Sequence, residues 1–191
     1  MRARIAAGVI ALAAVAMLSA CVPAIIAVGA GGAALVATDR RTAGAQVEDE
    51  SIELKIADQI RVLYGDRVHV NVTSYNGVVL LTGEVHDAGA QASITNAAKS
   101  TQKVRSVQNE TVIGPNSDLS ARTNDSFITT KVKARFVEAN KFPPNAVKVV
   151  TERAVVYQMG IVSRQEGTAA GEIAASTEGV ARVVKVFEYR G

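Results

Sequence analysis

The sequence of this chain contains an internal duplication. Two stretches match block by block, in the same order, at an offset of 76 or 77 residues. Repeats of this length indicate two small domains of one fold, because a single larger domain would not need the same pattern twice. The matched blocks are Lys55-Ile56 with Lys131-Val132, Val70-Asn71-Val72 with Val147-Lys148-Val149, Gly83-Glu84-Val85 with Gly160-Ile161-Val162, and Val104 and Val107 with Val180 and Val183.

Local patterns predict the same five elements in each repeat: a helix, two strands, a second helix and a last strand. Ile52, Ile56 and Ile60 recur every four residues, which predicts a helix with one apolar face. Residues 68–72 alternate between apolar and polar side chains, as a half-buried strand does, and Asn76-Gly77 is a hairpin signal. The second half repeats this pattern with the helix stripe Ile128, Val132 and Phe136, and the last strands are predicted at 106–113 and 182–189.

These elements define the predicted fold class. We predict an α+β fold of two tandem αββαβ units, each a small mixed three-stranded sheet with two helices on one face. The second hairpin differs from the first, since Ala154 stands where the first has Gly77. A left-handed turn would cost alanine about 1 kcal/mol or more, so that turn must either differ or accept strain.

The first residues read as an export signal that ends at a cysteine. Arg2 and Arg4 precede an uncharged apolar run over residues 5–18, and Leu18-Ser19-Ala20-Cys21 closes it. This tetrapeptide resembles the bacterial lipobox, in which the cysteine is acylated and the chain is cut before it. Cys21 is the only cysteine, so it favours lipidation over a disulfide or a redox role.

An uncleaved transmembrane helix is the alternative interpretation of this segment. The apolar region continues to Val36, which is long enough to span a bilayer. Pro23 and the glycines at 29, 31 and 32 argue against it, because they weaken a continuous helix. Val22 follows the cysteine where an aspartate commonly signals inner-membrane retention. The lipobox resemblance therefore implies a lipid anchor in the outer membrane, with the protein facing the periplasm.

Composition and motifs exclude several classes of function. Loss of Arg2 and Arg4 with the signal takes the 21 basic residues to 19, against 18 acidic ones, so the mature chain is near neutral. Without tryptophan or a basic excess, it lacks the features of a nucleic-acid-binding protein. His69 and His86 have no metal-ligand spacing and are predicted to be surface or turn residues. Since no nucleophile or phosphate-binding motif is found, we predict no enzyme activity, cofactor or metal.

The patterns divide the chain into five parts. Residues 1–20 are the predicted signal peptide, and 21–46 are the acylated cysteine with a flexible tether rich in alanine and glycine. The first domain spans 47–113, a polar linker 114–123 and the second domain 124–191. The first domain carries six basic and nine acidic side chains, whereas the second carries ten basic and seven acidic. Only the second is therefore suited to an anionic membrane surface.

Tandem αββαβ units behind a lipobox resemble the dual-BON-domain outer-membrane lipoproteins of the DolP (YraP-type) family. The likeness is strongest in Ala37-Thr38-Asp39-Arg40-Arg41-Thr42 and in Asn124-Asp125-Ser126-Phe127-Ile128-Thr129-Thr130-Lys131-Val132. It implies a palmitate-bearing lipoprotein that binds anionic phospholipids, gathers at cell division sites and supports envelope integrity and the stress response. We expect a monomer.

The candidate site is the outward face of the first helix of the second domain. At about 100° per residue, Ile128, Val132 and Phe136 point inward. The outward strip is apolar with a basic border, which is typical of an interfacial helix, and the resemblance places a lipid-binding aromatic residue at Phe127. The predicted site residues are Phe127, Thr130, Lys131, Lys133, Ala134 and Val137.

Several alternatives remain open for this helix and for the whole chain. Phe127 could fold back onto its domain or cover the contact between the domains, and Lys131, Lys133 and Arg135 could be a solvated face. The chain could instead be a periplasmic adaptor whose basic face binds an acidic assembly factor or porin. A module that senses a small ligand or an ion is the third hypothesis.

Overall fold

The structure is a computed structural model, and it describes residues 39–191. The predicted signal peptide, Cys21 and the tether as far as residue 38 lie outside the described residues. The first domain comprises α1 (Ala43–Tyr64), β1 (His69–Tyr75), β2 (Val78–Val85), α2 (Ala88–Ser100), β3 (Ser106–Asn109) and β4 (Val112–Ile113). The second comprises α3 (Leu119–Ala139), β5 (Lys148–Glu152), β6 (Val155–Val162), α4 (Arg164–Ala175) and β7 (Arg182–Tyr189). Short 3-10 turns at Gly65–Arg67 and Pro144–Ala146 lead into β1 and β5.

Both domains have the predicted αββαβ order and a mixed sheet. In the first, β2 is central, antiparallel to β1 and parallel to β3. In the second, β6 is central, antiparallel to β5 and parallel to β7. A parallel neighbour requires a crossover, and α2 and α4 supply it. The duplication and the α+β class are thus confirmed.

The last strand of the first domain is broken where one continuous strand was predicted. β3 ends at Asn109, whose side-chain carbonyl oxygen accepts a hydrogen bond from the Thr111 backbone N–H at 2.8 Å. The Gln91 side chain of α2 donates to the Thr111 carbonyl at 2.7 Å. These side-chain bonds fix a local turn that competes with regular strand geometry. Pairing with β2 then resumes at Val112, as the short strand β4.

The predicted helix stripes form the helix-side cores. Ile52, Ile56 and Ile60 of α1 are buried against β2 and α2. The corresponding side chains of α3 are buried against β5, β6 and α4 in the second domain. Burial of each such side chain contributes about 1.5–3 kcal/mol, so these stripes hold the helices on one face of each sheet.

The first helix of each domain begins earlier than the predicted domain boundary. α1 begins at Ala43, inside the predicted tether 21–46, and the Thr42 hydroxyl caps it by accepting a hydrogen bond from a first-turn N–H at 3.1 Å. α3 begins at Leu119, inside the predicted linker 114–123, and the Asp118 carboxylate caps it in the same way at 2.7 Å. Threonine and aspartate are common both in linkers and at helix N-caps, so composition alone does not separate the two roles.

A buried aspartate of α1 holds the hairpin turn of the first domain. The Asp49 carboxylate accepts hydrogen bonds from the backbone N–H groups of Asn76 and Gly77 at 2.7 and 2.8 Å. It also accepts from the Ser74 hydroxyl at 2.6 Å and from the Arg41 guanidinium at 2.8 Å. Burial alone would raise the pKa of Asp49, but these four donors outweigh it and hold that pKa below its ordinary value.

The second hairpin keeps the same left-handed turn in spite of its alanine. Arg153 and Ala154 have φ values of 53° and 60°, close to the 52° of Asn76. Asp125 of α3 lies 76 residues after Asp49, and its carboxylate accepts from the N–H groups of Arg153 and Ala154, each at 2.8 Å. The turn therefore accepts the strain, and the two bonds to the carboxylate offset it.

The two domains stack through the sheet faces that carry no helix. Tyr75 and Leu80 of the first domain pack against Tyr157 and Met159 of the second, and all four are at most 4 % exposed. Opposite charges pair around this apolar centre, so part of the charge difference between the domains is neutralised at their contact. These pairs are Lys148–Glu53 at 2.8 Å, Arg105–Glu188 at 3.0 Å, Arg153–Glu84 at 3.3 Å and Arg182–Glu110 at 3.9 Å.

Two consecutive arginines before α1 contact different domains. Arg41 donates to Asp49 in the first domain, and its guanidinium carbon lies 4.2 Å from the centroid of the Tyr75 ring. Arg40 makes two hydrogen bonds, at 2.6 and 2.8 Å, to the Glu166 carboxylate at the start of α4. This segment, which the sequence pattern placed in the flexible tether, joins the two domains.

Replacing Arg40 with alanine is expected to destabilise the fold by about 2 kcal/mol near neutral pH, a typical contribution of hydrogen bonds to a charged group. The Arg40 hydrogen bonds, opposed by burial and helped by Ser163, lower the pKa of Glu166 from 4.5 to about 2. A lowered carboxyl pKa stabilises the folded state above pH 4.5, and this contribution is lost as the pH falls toward about 2. The free energy of unfolding, measured with urea near pH 7 and near pH 3, should therefore differ less between the two pH values for Arg40→Ala than for the unmodified chain.

The matched control for this prediction is Arg61→Ala. Arg61 forms a single ion pair with Asp58 at 2.6 Å, but both side chains are mostly exposed to solvent. Such pairs contribute little, so this variant should change neither the stability nor its pH dependence. An equal pH dependence for both variants would contradict the role given to Arg40.

Candidate functional site

The outward surface of α3 carries an apolar strip on a helix whose inward side closes the domain core. Phe127 is 61 % exposed and Val137 is 63 % exposed, whereas Ile128, next to Phe127, is fully buried. This contrast arises because α3 presents only one side to its sheet. We use the name α3 outer face for the surface formed by Leu119, Thr123, Phe127, Thr130, Lys131, Lys133, Ala134 and Val137.

All six residues of the predicted site lie on the α3 outer face, and five of them are exposed. Lys131 is partly buried, with its Nζ 5.1 Å from the centroid of the Phe127 ring and 3.6 Å from the Glu178 carboxylate. Lys133 is exposed beside them. Phe127 therefore neither folds back into the domain core nor covers the contact between the domains.

Arg135 is separate from this surface. Its guanidinium donates to the Ile173 carbonyl at 3.2 Å and to the Thr177 hydroxyl at 3.0 Å, both at the end of α4. The side chain thus ties the two helices of the second domain together. Of the three basic residues near Phe127 that could have formed a solvated face, Arg135 has a structural contact instead.

The first turn of the α3 outer face lies inside the predicted linker 114–123, so it was not predicted from the sequence. Leu119 is 79 % exposed, and with Thr123 and Phe127 it lines a shallow groove along the start of α3. The spacing of these residues, four apart, and the capping residue Asp118 were the available signal. They were overlooked because residues 114–123 read as a polar linker.

An acidic residue that was not among the predicted site residues also lies on this side of α3. At about 100° per residue, Glu138 projects within about 20° of Phe127. It is exposed. An anionic surface would repel this carboxylate. The basic border of the α3 outer face is therefore incomplete near the C-terminal end of the helix.

The two histidines have different surroundings, and His69 begins β1 with its side chain partly buried. His86 is a surface residue, with its Nε2 3.1 Å from the Asp87 carboxylate. His69 Nε2 is shielded from solvent, and the residue is the cross-strand partner of Glu84. Together with Glu152, these two residues form the one group within residues 39–191 whose ligand atoms could together hold a metal ion. Sequence spacing could not show this, because strand pairing and domain stacking bring them together.

Comparison with known proteins identifies the family. The BON domain family matches residues 48–115 and 124–191. The outer membrane lipoprotein DolP of Haemophilus influenzae is 37 % identical over 174 residues, 90 % of both chains. A 21 kDa hemolysin of Actinobacillus pleuropneumoniae is 33 % identical over 153 residues, 79 % of both chains. The C-terminal domain of CdsD, a structural protein of the type III secretion system of Chlamydia trachomatis, matches at a TM-score of 0.31. This match has 10 % sequence identity and covers 72 % of this chain and 96 % of that one.

The family match agrees with the fold in the number of domains and in the position of each domain along the chain. Each matched range contains one complete αββαβ unit apart from the first turn of its first helix. Within residues 39–191, none of the helices has both the length and the apolar character needed to cross a bilayer. The chain belongs to the BON-domain family, as a dual-BON lipoprotein of the DolP type that is lipid-anchored in the outer membrane and faces the periplasm.

Proposed function

We propose that this lipoprotein binds anionic phospholipids through the α3 outer face of its second BON domain, and that it supports envelope integrity at division sites. The observation that carries the proposal is the exposure of Phe127 and Val137 on a helix whose other side is fully packed. Large apolar side chains in such positions favour an interface with another apolar phase. Lys131 and Lys133 border the strip, where each can contribute about 1 kcal/mol of attraction to anionic headgroups.

The anchor of this lipoprotein is the second part of the proposal. We propose Cys21 as the acylated residue, since it is the only cysteine and it closes the export signal. Acyl chains fix the location of the protein durably, at about 0.8 kcal/mol per buried methylene. The tethered domain is then held near the bilayer, which raises its effective concentration there. A weak contact through α3 is sufficient under these conditions.

The test is vesicle binding by a soluble fragment of residues 38–191, which form one compact unit. Phe127→Glu should weaken binding to vesicles containing phosphatidylglycerol by more than about tenfold, because it removes apolar burial and adds a repelled charge. The matched control is Leu54→Glu, since Leu54 is 66 % exposed on α1 of the acidic first domain. This variant should bind as the unmodified fragment does. Cosedimentation with vesicles measures both.

Further arms of the experiment separate the alternatives. Glu138→Gln should strengthen binding about fivefold at low salt. It removes one negative charge whose repulsion by the anionic surface costs about 1 kcal/mol. Phosphatidylcholine vesicles should bind the fragment weakly. Unchanged cosedimentation of Phe127→Glu would exclude the α3 outer face, and binding only to envelope proteins would favour an adaptor.

The role in the envelope is tested in cells that lack the gene. Loss of the lipoprotein should sensitise them to detergents and large antibiotics. The Leu54→Glu form should restore resistance and gather at division sites, and the Phe127→Glu form should do neither. Full restoration by Phe127→Glu would separate the envelope role from lipid binding.

A further inference from the structure

A cluster of three side chains lies between the two domains, and none of them belongs to the α3 outer face. His69 begins β1 and is paired across the strands with Glu84 of β2. Glu152 ends β5 and comes from the second domain. The imidazole nitrogen and carboxylate oxygens that could bind a metal ion all lie within 4.8 Å of one another.

One polar atom of the cluster has no partner, and two carboxylates lie close together. His69 Nε2 is shielded from solvent and has no hydrogen-bond partner. Glu84 is fully buried and Glu152 is 4 % exposed, so two carboxylates share a space that disfavours two negative charges. Burial, together with the charges of Glu84 and Asp125, raises the pKa of Glu152 in spite of a hydrogen bond from Asn71. The space between the carboxylates therefore favours a positive charge.

Two guanidinium groups lie near the cluster. Arg153 contacts Glu84 at 3.3 Å from a side chain that is about half exposed, which is long for a charge-assisted bond. Arg122 lines the neighbouring cavity, and after burial it is the main cause that lowers the pKa of His69. An imidazole binds metal ions through a ring nitrogen that carries no proton.

The two carboxylates are oriented by contacts outside the cluster. One oxygen of Glu84 accepts from the Ser117 backbone N–H at 3.1 Å, and one oxygen of Glu152 accepts from the Asn71 amide at 2.7 Å. Such contacts are typical of metal-binding carboxylates. An open cavity of about 430 Å³, lined by His69, Asn71 and Glu152 among others, gives an ion a path to the cluster.

We propose that His69, Glu84 and Glu152 bind one divalent transition-metal ion of the Zn²⁺ class at the contact between the two BON domains. One imidazole and two carboxylates are a ligand set that suits Zn²⁺ and is less suited to Mg²⁺ or Ca²⁺, which prefer oxygen alone. Zinc with ligands at about 2.0–2.2 Å needs its ligand atoms about 3.4 Å apart, so small side-chain rotations complete the site. Because the ligands come from both domains, the bound ion fastens them together.

The experiment uses the acylated full chain in a nonionic detergent, freed of metal with a chelator and titrated with ZnCl₂. Isothermal titration should show one Zn²⁺ bound per chain, and the melting temperature should rise by about 5 °C at a hundredfold excess over Kd. MgCl₂ should produce neither effect. Glu152→Gln and His69→Gln should each abolish both. Absence of zinc binding in the unmodified chain would overturn the proposal.

The matched control is His86→Gln, since His86 and Asp87 form an exposed pair that could bind zinc adventitiously. This variant should keep the full stoichiometry, and loss of binding there would overturn the proposal. X-ray absorption at the zinc edge reports the ligands of the ion in the unmodified chain, so this test does not depend on how the variants fold. The spectrum should show one imidazole nitrogen among oxygen ligands. A shell with no imidazole, or with two, would contradict the assignment.

Discussion

Replacing Asp125 with alanine is expected to destabilise the second domain by about 3 kcal/mol, because two hydrogen bonds to a charged acceptor are lost together. The Asp125 carboxylate is the acceptor for the N–H groups of Arg153 and Ala154, each at 2.8 Å. These two residues hold positive φ values without being glycine. The substitution therefore leaves two donors unpaired in a turn that is already strained.

Urea unfolding of the 38–191 fragment measures this effect. The matched control is Asp118→Ala, which removes an exposed N-cap from the same helix and should cost about 1 kcal/mol. Ala154→Gly in the Asp125→Ala background should recover about 1 kcal/mol, since glycine adopts positive φ without strain. If Asp125→Ala were no more harmful than Asp118→Ala, the carboxylate would not be what holds the turn.

Replacing Cys21 with serine is expected to abolish acylation and outer-membrane location completely. A serine hydroxyl does not replace the thiol that the lipobox chemistry requires, so no acyl chain is attached. Radiolabelled palmitate should enter the unmodified chain and should be absent from Cys21→Ser. Membrane fractionation should show the same loss in the outer-membrane fraction.

Val22→Asp is the matched control for the anchor. It keeps Cys21 and should incorporate palmitate normally, but the aspartate after the cysteine should retain the chain in the inner membrane. If neither the unmodified chain nor this variant took up label, the lipid anchor would be contradicted and an uncleaved membrane helix would be favoured. The two substitutions thus test the attachment and the destination separately.

Much of the fold could be predicted from local periodicity, because each helix has one buried side. Ile52, Ile56 and Ile60 are buried as their spacing predicts, and Phe127, one position before the buried Ile128, is exposed. The hairpin follows from its turn residues, and a helix between the last two strands allows them to pair in parallel, as β2 and β3 do. These features depend on residues that are close in sequence.

Buried polar groups could not be predicted in the same way, because a pattern of hydrophobicity treats every carboxylate as solvated. Asp49 and Asp125 are both buried and both hold a turn. Their offset of 76 residues was a usable signal, since the repeat preserves them. Without the turn geometry, however, the reason for a repeated aspartate is not visible.

Contacts between the domains were the least accessible to sequence reasoning. The opposite net charges of the two domains were interpreted only as suitability for a membrane. In the structure, Lys148, Arg153 and Arg182 face carboxylates of the first domain, so part of the basic excess has an internal partner. The meeting of His69 with Glu152 likewise depends on how two sheets stack, which no local pattern encodes.

The stacked sheets have a further consequence, because the same sheet face of each repeat forms the contact. Charged pairs also cross it in both directions, since Arg105 of the first domain pairs with Glu188 and Arg182 of the second domain pairs with Glu110. A contact between the same faces of two copies of one fold resembles the isologous interface of a two-fold homodimer. Here both subunits are joined in one chain, so their association is intramolecular. The paired state is therefore independent of how sparsely the lipoprotein is distributed over the membrane.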